Sequence, residues 1–281
     1  MERILEGIRV INIGYNLPAP LAAAALTAMG AQLIKVEPPT GDPFSSFCPQ
    51  WYSELILNQQ VIKLDLKSAS DHEKLLILLE NCDLLITSSR PSSLRRLGVS
   101  WSILSGINQT LCMVSVIGYP APDDDRPGHD LTYQAQTGLI DPPRMPRTLL
   151  ADILGAERLV QFALGLLFHR ARTGKAGYKE VILSEAAQEY EKPLNYNLTT
   201  PNGPLGGTQP RYNIYQTQQG WVALAALEEK YWQKLLSALQ IDNKTTSSEY
   251  LQTIFLSRSA KAWKTWANEH DIPLAEIQDK R

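Results

Sequence analysis

Three side chains in this 281-residue chain are of types that can do acid–base or nucleophilic chemistry. His129 stands in GHD, Asp152 precedes an apolar run in LLADILGA, and Glu228 opens the helical stretch EEKYWQKLL. An imidazole with an ordinary pKa of about 6.5 can take or give a proton near neutrality. A carboxyl of reference pKa about 3.9 joins such work only where burial raises it, which Ile153 and Leu154 beside Asp152 could supply. The Asp152 to Gly155 segment, opening a helix, could also offer backbone N–H groups to a developing anion. Each residue carries a plainer reading as well. His129 could be a turn residue, Asp152 a helix N-cap, and Glu228 a carboxylate favoured by a helix dipole. Arg90, before Pro91, has the planar fork for a phosphate and is equally a solvated charge. His72, His169 and His270 read as surface or structural.

The elements that must position these residues alternate along the chain. GIRVINIG, AQLIKVE, VIKLDL, DLLITSS, TLCMVSVIG and YKEVIL are β-branched runs, interleaved with the helical LAAAALTAMG, HEKLLILLENC and a long apolar stretch from Ala156 to Arg172. Strand-helix repetition predicts an α/β fold with a parallel sheet. Pro18 to Pro20 suit the start of the first helix and Gly30 its stop, while Ser70 or Asp71 suits the N-cap of the second. Residues 123–147, rich in Asp, Pro and Gly, read as an irregular segment with a short helix in TYQAQTGLI, and long irregular segments are often functional. A break at PNGP near residue 200 precedes a predicted hairpin, YNIYQT and WVALAAL, and helices carrying Trp232, Leu235, Leu236 and Leu239, then Trp263 and Trp266. The expected organisation is a large Rossmann-like domain, 1–200, and a small α+β domain, 201–281.

Composition narrows the class. Lys and Arg number 27 against 29 Asp and Glu, a net charge of -2 with no basic block, so nucleic acid is not an expected partner. Cys48, Cys82 and Cys112 lie far apart with no zinc or disulfide spacing, which fits a reducing cytoplasm. Charged residues interrupt the N-terminal stretch where a signal peptide needs an apolar run, and no stretch is apolar for the ~20 residues a membrane helix needs. The expected protein is cytoplasmic, with no membrane partner.

GAQLIKVEPPTGDP and RTGKAGYKEV, with LEGIRVINIG, SSRPSSLRRLGVSW, GHDLTYQAQTGLI and LLADILGA, make the chain resemble the CaiB/BaiF family, the family III CoA-transferases and the related α-methylacyl-CoA racemases. The likeness runs from about residue 5 to 270. It implies an acyl-CoA or carrier-bound thioester as substrate, coenzyme A as a handle rather than a cofactor, no metal, and an interlocked homodimer. It places the transferase nucleophile, which forms a mixed anhydride and then a CoA thioester, at Asp152. In the racemase branch that aspartate is an acid/base, paired with a histidine at the position of His129 and a glutamate at that of Glu228. Because both are present, racemisation through an enolate is the expected activity. CoA transfer by Asp152 and a non-catalytic partner subunit are the alternatives. The resemblance assigns CoA and substrate binding to Lys35, Val36, Arg90, Gly118, Asp130 and Tyr133.

Three departures bear on those expectations. Relatives carry basic residues that help hold the CoA phosphates in a pattern like NRGKRS, where this chain has Asn58-Gln59-Gln60-Val61-Ile62-Lys63, which leaves CoA affinity and binding mode open. The stretch between His129 and Asp152 is compressed around DPPRMPR, which points to unusual acyl specificity. The sequence given ends at IPLAEIQDKR, where relatives continue with a segment that returns to the large domain and helps close the interlocked dimer.

Overall fold

The computed structural model describes residues 3–279 and divides into two compact units between Tyr190 and Glu191. The first unit runs β1 (Arg9–Asn12), α1 (Pro18–Ala28), β2 (Gln32–Glu37), α2 (Phe44–Phe47), α3 (Pro49–Leu55), β3 (Gln60–Lys63), α4 (Ala69–Glu80) and β4 (Leu84–Thr87). It continues with α5 (Pro91–Arg96), α6 (Trp101–Ile107), β5 (Cys112–Ile117), α7 (Asp130–Gln134), α8 (Leu150–Thr173), β6 (Tyr178–Ile182) and α9 (Leu183–Gln188). All six strands are parallel, in the order β3-β2-β1-β4-β5-β6. That is the doubly wound order, whose chain reverses direction across the sheet between β1 and β4 and opens a crevice at the strands' carboxyl ends.

The central strands are buried on both faces, as their continuous apolar runs require: every residue of β4 and β5 is buried. On one face Ala19, Ala22 and Ala23 of α1 pack with Ala151, Ala156, Leu159 and Ala163 of α8 against Val10, Ile86 and Val114. Small side chains let the helices lie close to the sheet. The other face is covered by Leu75 and Leu79 of α4, Leu94 of α5 and Leu104 of α6. The N-cap of α4 is Ser68, not Ser70 or Asp71; Asp71 lies in the first turn, where its carboxylate accepts from the Asp65 N–H at 2.9 Å and from Lys74 at 2.8 Å.

The second unit holds α10 (Lys192–Asn195), β7 (Tyr212–Gln216), β8 (Trp221–Ala225), α11 (Glu229–Leu239), α12 (Ser248–Phe255), α13 (Ala260–Glu269) and β9 (Leu274–Glu276). β7 and β8 form an antiparallel hairpin, and β9 adds to the free edge of β8. Its core is aromatic: Phe255 lies 4.8 Å from Tyr215 and 5.0 Å from Trp263, and Trp263 meets Trp266 edge-on at 5.1 Å. Among the described residues no helix is long and apolar enough to cross a membrane.

Candidate functional site

The first unit has a cleft at the carboxyl ends of its strands, where the switch-point rule places it. Tyr15 and Asn16 enter it from the loop after β1, Ser88 and Arg90 from the loop after β4, Gly118 from the end of β5, and Leu183 from the end of β6. Arg126, Gly128 and His129 come from the irregular segment before α7, Tyr133 from α7, and Asp152 from the first turn of α8. The structure therefore gathers Arg90, Gly118, His129, Tyr133 and Asp152 around one opening.

Asp152 is the electrostatic outlier of the cleft. Its carboxyl has little water around it, and the neighbouring Asp130 carboxylate repels a second negative charge. Burial first and Asp130 second push its pKa up to about 7. Asp130 is held in place by two donors: it accepts from the Asp152 N–H at 3.1 Å and from the Gln134 side chain one helical turn on. Gln134 also donates to the Thr148 carbonyl at 3.0 Å, which ties α7 to the segment leading into α8.

These contacts correct two readings of Asp152. It is not a helix N-cap, because α8 begins at Leu150 and its N-cap is Leu149. Nor are the first amides free for an anion: the Asp152 N–H is bonded to Asp130 and the Ile153 N–H to the Leu149 carbonyl at 3.0 Å.

His129 is the N-cap of α7, exposed at the cleft, with its backbone N–H donating to the Thr132 hydroxyl at 3.1 Å. Tyr133 is buried, and burial is the main reason its hydroxyl titrates only at about 12, so it remains a neutral donor at physiological pH. Its ring lies in a slot between Gly118 and Gly128, where a Cβ on either glycine would collide with the phenol. Tyr119 meets this ring edge-on at 5.3 Å.

Three residues assigned to CoA have other duties. Lys35 is fully buried, with Nζ 2.7 Å from Asp42 and 3.8 Å from Glu37, and it donates to the Gly14 carbonyl at 3.2 Å. Its charge is neutralised inside the protein and does not face the cleft. Val36 is a buried β2 residue in the sheet core. Asp130 is buried behind Asp152 and acts through it. Glu228 belongs to the second unit, exposed at the N-cap of α11. Of the other histidines, His72 bonds the Leu97 carbonyl and His270 the Trp266 carbonyl, each at 2.7 Å. Among the described residues no group of three or more His, Cys, Asp or Glu is placed to hold a metal ion.

Sequence reasoning missed Tyr15, Asn16, Ser88, Arg126 and Leu183. The strand order is the signal that would have found most of them, because it marks the loops after β1, β4 and β6 as cleft walls.

A doubly wound sheet with a strongly perturbed carboxyl at its switch-point crevice defines a class of α/β enzyme folds built to act on a bound small molecule. The model of the family described as CoA-transferase family III matches residues 5–281, and the chain belongs to that family, CaiB/BaiF. It is 27% identical over 266 residues to a probable fatty acyl-CoA transferase of Mycobacterium tuberculosis, covering 82% of this chain and 67% of that protein. It is 29% identical over 273 residues to the beta subunit of a succinyl-CoA–L-malate CoA-transferase of Chloroflexus aurantiacus, covering 88% of this chain and 67% of the relative. Among solved structures, a CaiB/BaiF family protein from Brucella suis superposes with a TM-score of 0.82 at 22% identity, covering 99% of this chain and 85% of that one.

Proposed function

We propose that this protein moves coenzyme A between carboxylic acids, with Asp152 as the nucleophile. The observation that carries the reading is the Asp152 carboxyl itself, at the cleft, with a pKa raised to about 7 by burial and by Asp130. A carboxylate made more basic in this way is a better nucleophile once ionised. The similar proteins named as CoA-transferases support transfer over the racemisation expected from His129 and Glu228.

In the reaction, an Asp152 oxygen attacks the thioester carbonyl, a C–O bond forms, the C–S bond breaks, and CoA leaves as thiolate. The thiolate then attacks the Asp152 carbonyl of the mixed anhydride, releasing the first acid and leaving CoA on Asp152. The acceptor carboxylate attacks that thioester, CoA leaves again, and its attack on the acceptor's acyl carbon frees Asp152. The thioester handle is coenzyme A or a carrier-bound equivalent, the setting is the cytoplasm, and the working form is an interlocked homodimer.

A second reading rests on one observation: His129 lines the same cleft as Asp152, so an imidazole and a carboxyl share one space. An assay of CoA transfer from an acyl-CoA to a second acid, run beside α-hydrogen exchange in deuterated water, separates the two. Transfer predicts activity that survives His129→Ala and is lost in Asp152→Asn, with no solvent exchange. Exchange that disappears in His129→Ala would favour racemisation.

A further inference from the structure

The first unit carries a second opening, a groove of about 620 Å³ at the opposite end of its sheet from the cleft, and the two share no lining residue. Its floor is the first residues of β1 and β2, its wall is Ile77 and Leu78 near the end of α4, and Asn58 and Gln60 flank it at the start of β3. The fold leaves this space open because α4 covers the sheet through Leu75 and Leu79, while the helices of the β2–β3 crossover turn to the other face. There Phe44 and Leu55 pack with Leu17 and Leu21. Ile34 is left half-buried on the sheet, and Ile77 is 55% exposed on the helix. The volume is that of a site for a small molecule.

Ile11, Leu33, Ile34, Ile77 and Leu78 are branched aliphatics, and among the described residues no aromatic ring and no carboxylate lines the groove. Such walls suit an aliphatic body and offer nothing for a planar ring to stack on. Among the described residues the one charged lining side chain is Arg9, and its charge is poorly matched inside the protein. Its Nε lies 3.7 Å from an Asp83 oxygen that already accepts the Arg9 N–H at 2.8 Å, and the other Asp83 oxygen accepts from Arg170 at 3.0 Å. Two guanidinium groups thus share one carboxylate. The excess positive charge falls to Arg9, whose side chain is 52% exposed against 16% for Arg170. The end of α4 does not offset it with open carbonyls at Leu79 and Cys82, because the Asn108 amide donates to both at 3.0 Å.

We propose that this groove binds a medium-chain aliphatic monocarboxylic acid, with its tail against Ile34, Ile77 and Leu78 and its carboxylate on the Arg9 guanidinium. The planar fork of arginine gives a carboxylate two parallel N–H bonds, and the tail takes out of water the apolar surface that Ile77 exposes. A dicarboxylic acid would bury its second charge among aliphatic side chains without a partner, and a cationic amphiphile would meet Arg9 as a like charge. The site stands apart from the transfer chemistry, so its occupancy does not depend on acylation at Asp152.

The test is titration calorimetry of octanoate, octanol, octylamine and butyrate against the full chain and three variants. Octanoate binds the parent protein about tenfold or more tighter than octanol, as one charge-assisted contact provides, and octylamine binds weakest. Butyrate, four methylenes shorter, binds about tenfold or more weaker than octanoate. Arg9→Gln brings octanoate down to the level of octanol. Ile77→Glu, at an exposed helix position that the core does not need, abolishes binding of both. Asp152→Asn leaves octanoate binding unchanged, because the groove and the cleft are separate. Octanoate binding lost in Asp152→Asn and kept in Ile77→Glu would assign the acid to the cleft and overturn the proposal. Equal binding of octanoate and octylamine by the parent protein, or no binding of octanoate, would overturn it too.

Discussion

The first unit takes carboxylates out of water in two places and treats them in opposite ways. Around Lys35, the Asp42 and Glu37 carboxylates are matched by a buried ammonium, the Asn16 and Phe44 N–H groups donate to Asp42 at 3.0 and 2.9 Å, and the Tyr52 hydroxyl donates to Glu37. At the cleft, among the described residues no cation pairs with Asp152, and the charge that acts on it is that of another carboxylate, Asp130. The first arrangement satisfies its charges and fixes the loops after β1 and β2. The second leaves a carboxyl that ionises reluctantly. Matched burial builds the scaffold, and unmatched burial stores reactivity where a ligand can reach it.

The sharpest break of this contrast is Asp152→Asn. Transfer activity falls by about a thousandfold or more, as for loss of a nucleophile, while the fold is retained. The same variant tests the stored cost. A carboxyl whose folded pKa is raised above its unfolded value contributes stability at low pH that is lost as pH rises through the folded pKa, here about 7. Melting temperatures taken at pH 5 and pH 8 should therefore fall further in the parent protein than in Asp152→Asn.

Removing the matching charge gives the next effect. Lys35→Met strands two buried carboxylates and costs about 3–5 kcal/mol in urea denaturation. Gly128→Ala drives a methyl group into the Tyr133 ring, 2.6 Å from the nearest ring carbon, and costs about 1–3 kcal/mol by the same measurement. The smallest change is Asp130→Asn. With one repelling charge gone, the midpoint of the pH–rate profile moves below about 7, yet it stays above the ordinary carboxylate range because burial is the larger cause.

The scaffold was more legible than the site. The six parallel strands are short β-branched runs between helical stretches, and each of those runs in the sequence became a strand. Short elements left weaker traces: α5 and α6 have six and seven residues, and β9 three, too few for a period to show. Helix α8 starts at Leu150, six residues before the apolar run that marks it, and this early start was hidden because Asp152 looks like a cap when only its neighbours in sequence are considered. Its actual partner, Asp130, is 22 residues earlier on another helix. The same distance effect hid the fate of Lys35, whose motif points to a ligand while the fold turns its ammonium toward Asp42.

The central claim is that Asp152 becomes covalently acylated. Incubating the protein with an acyl-CoA, quenching with hydroxylamine and mapping the peptides by mass spectrometry tests it directly. The account predicts a hydroxamate at Asp152 that requires the acyl-CoA and is absent from Asp152→Asn. Full transfer activity with Asp152 unmodified, or retained in Asp152→Asn, would contradict it.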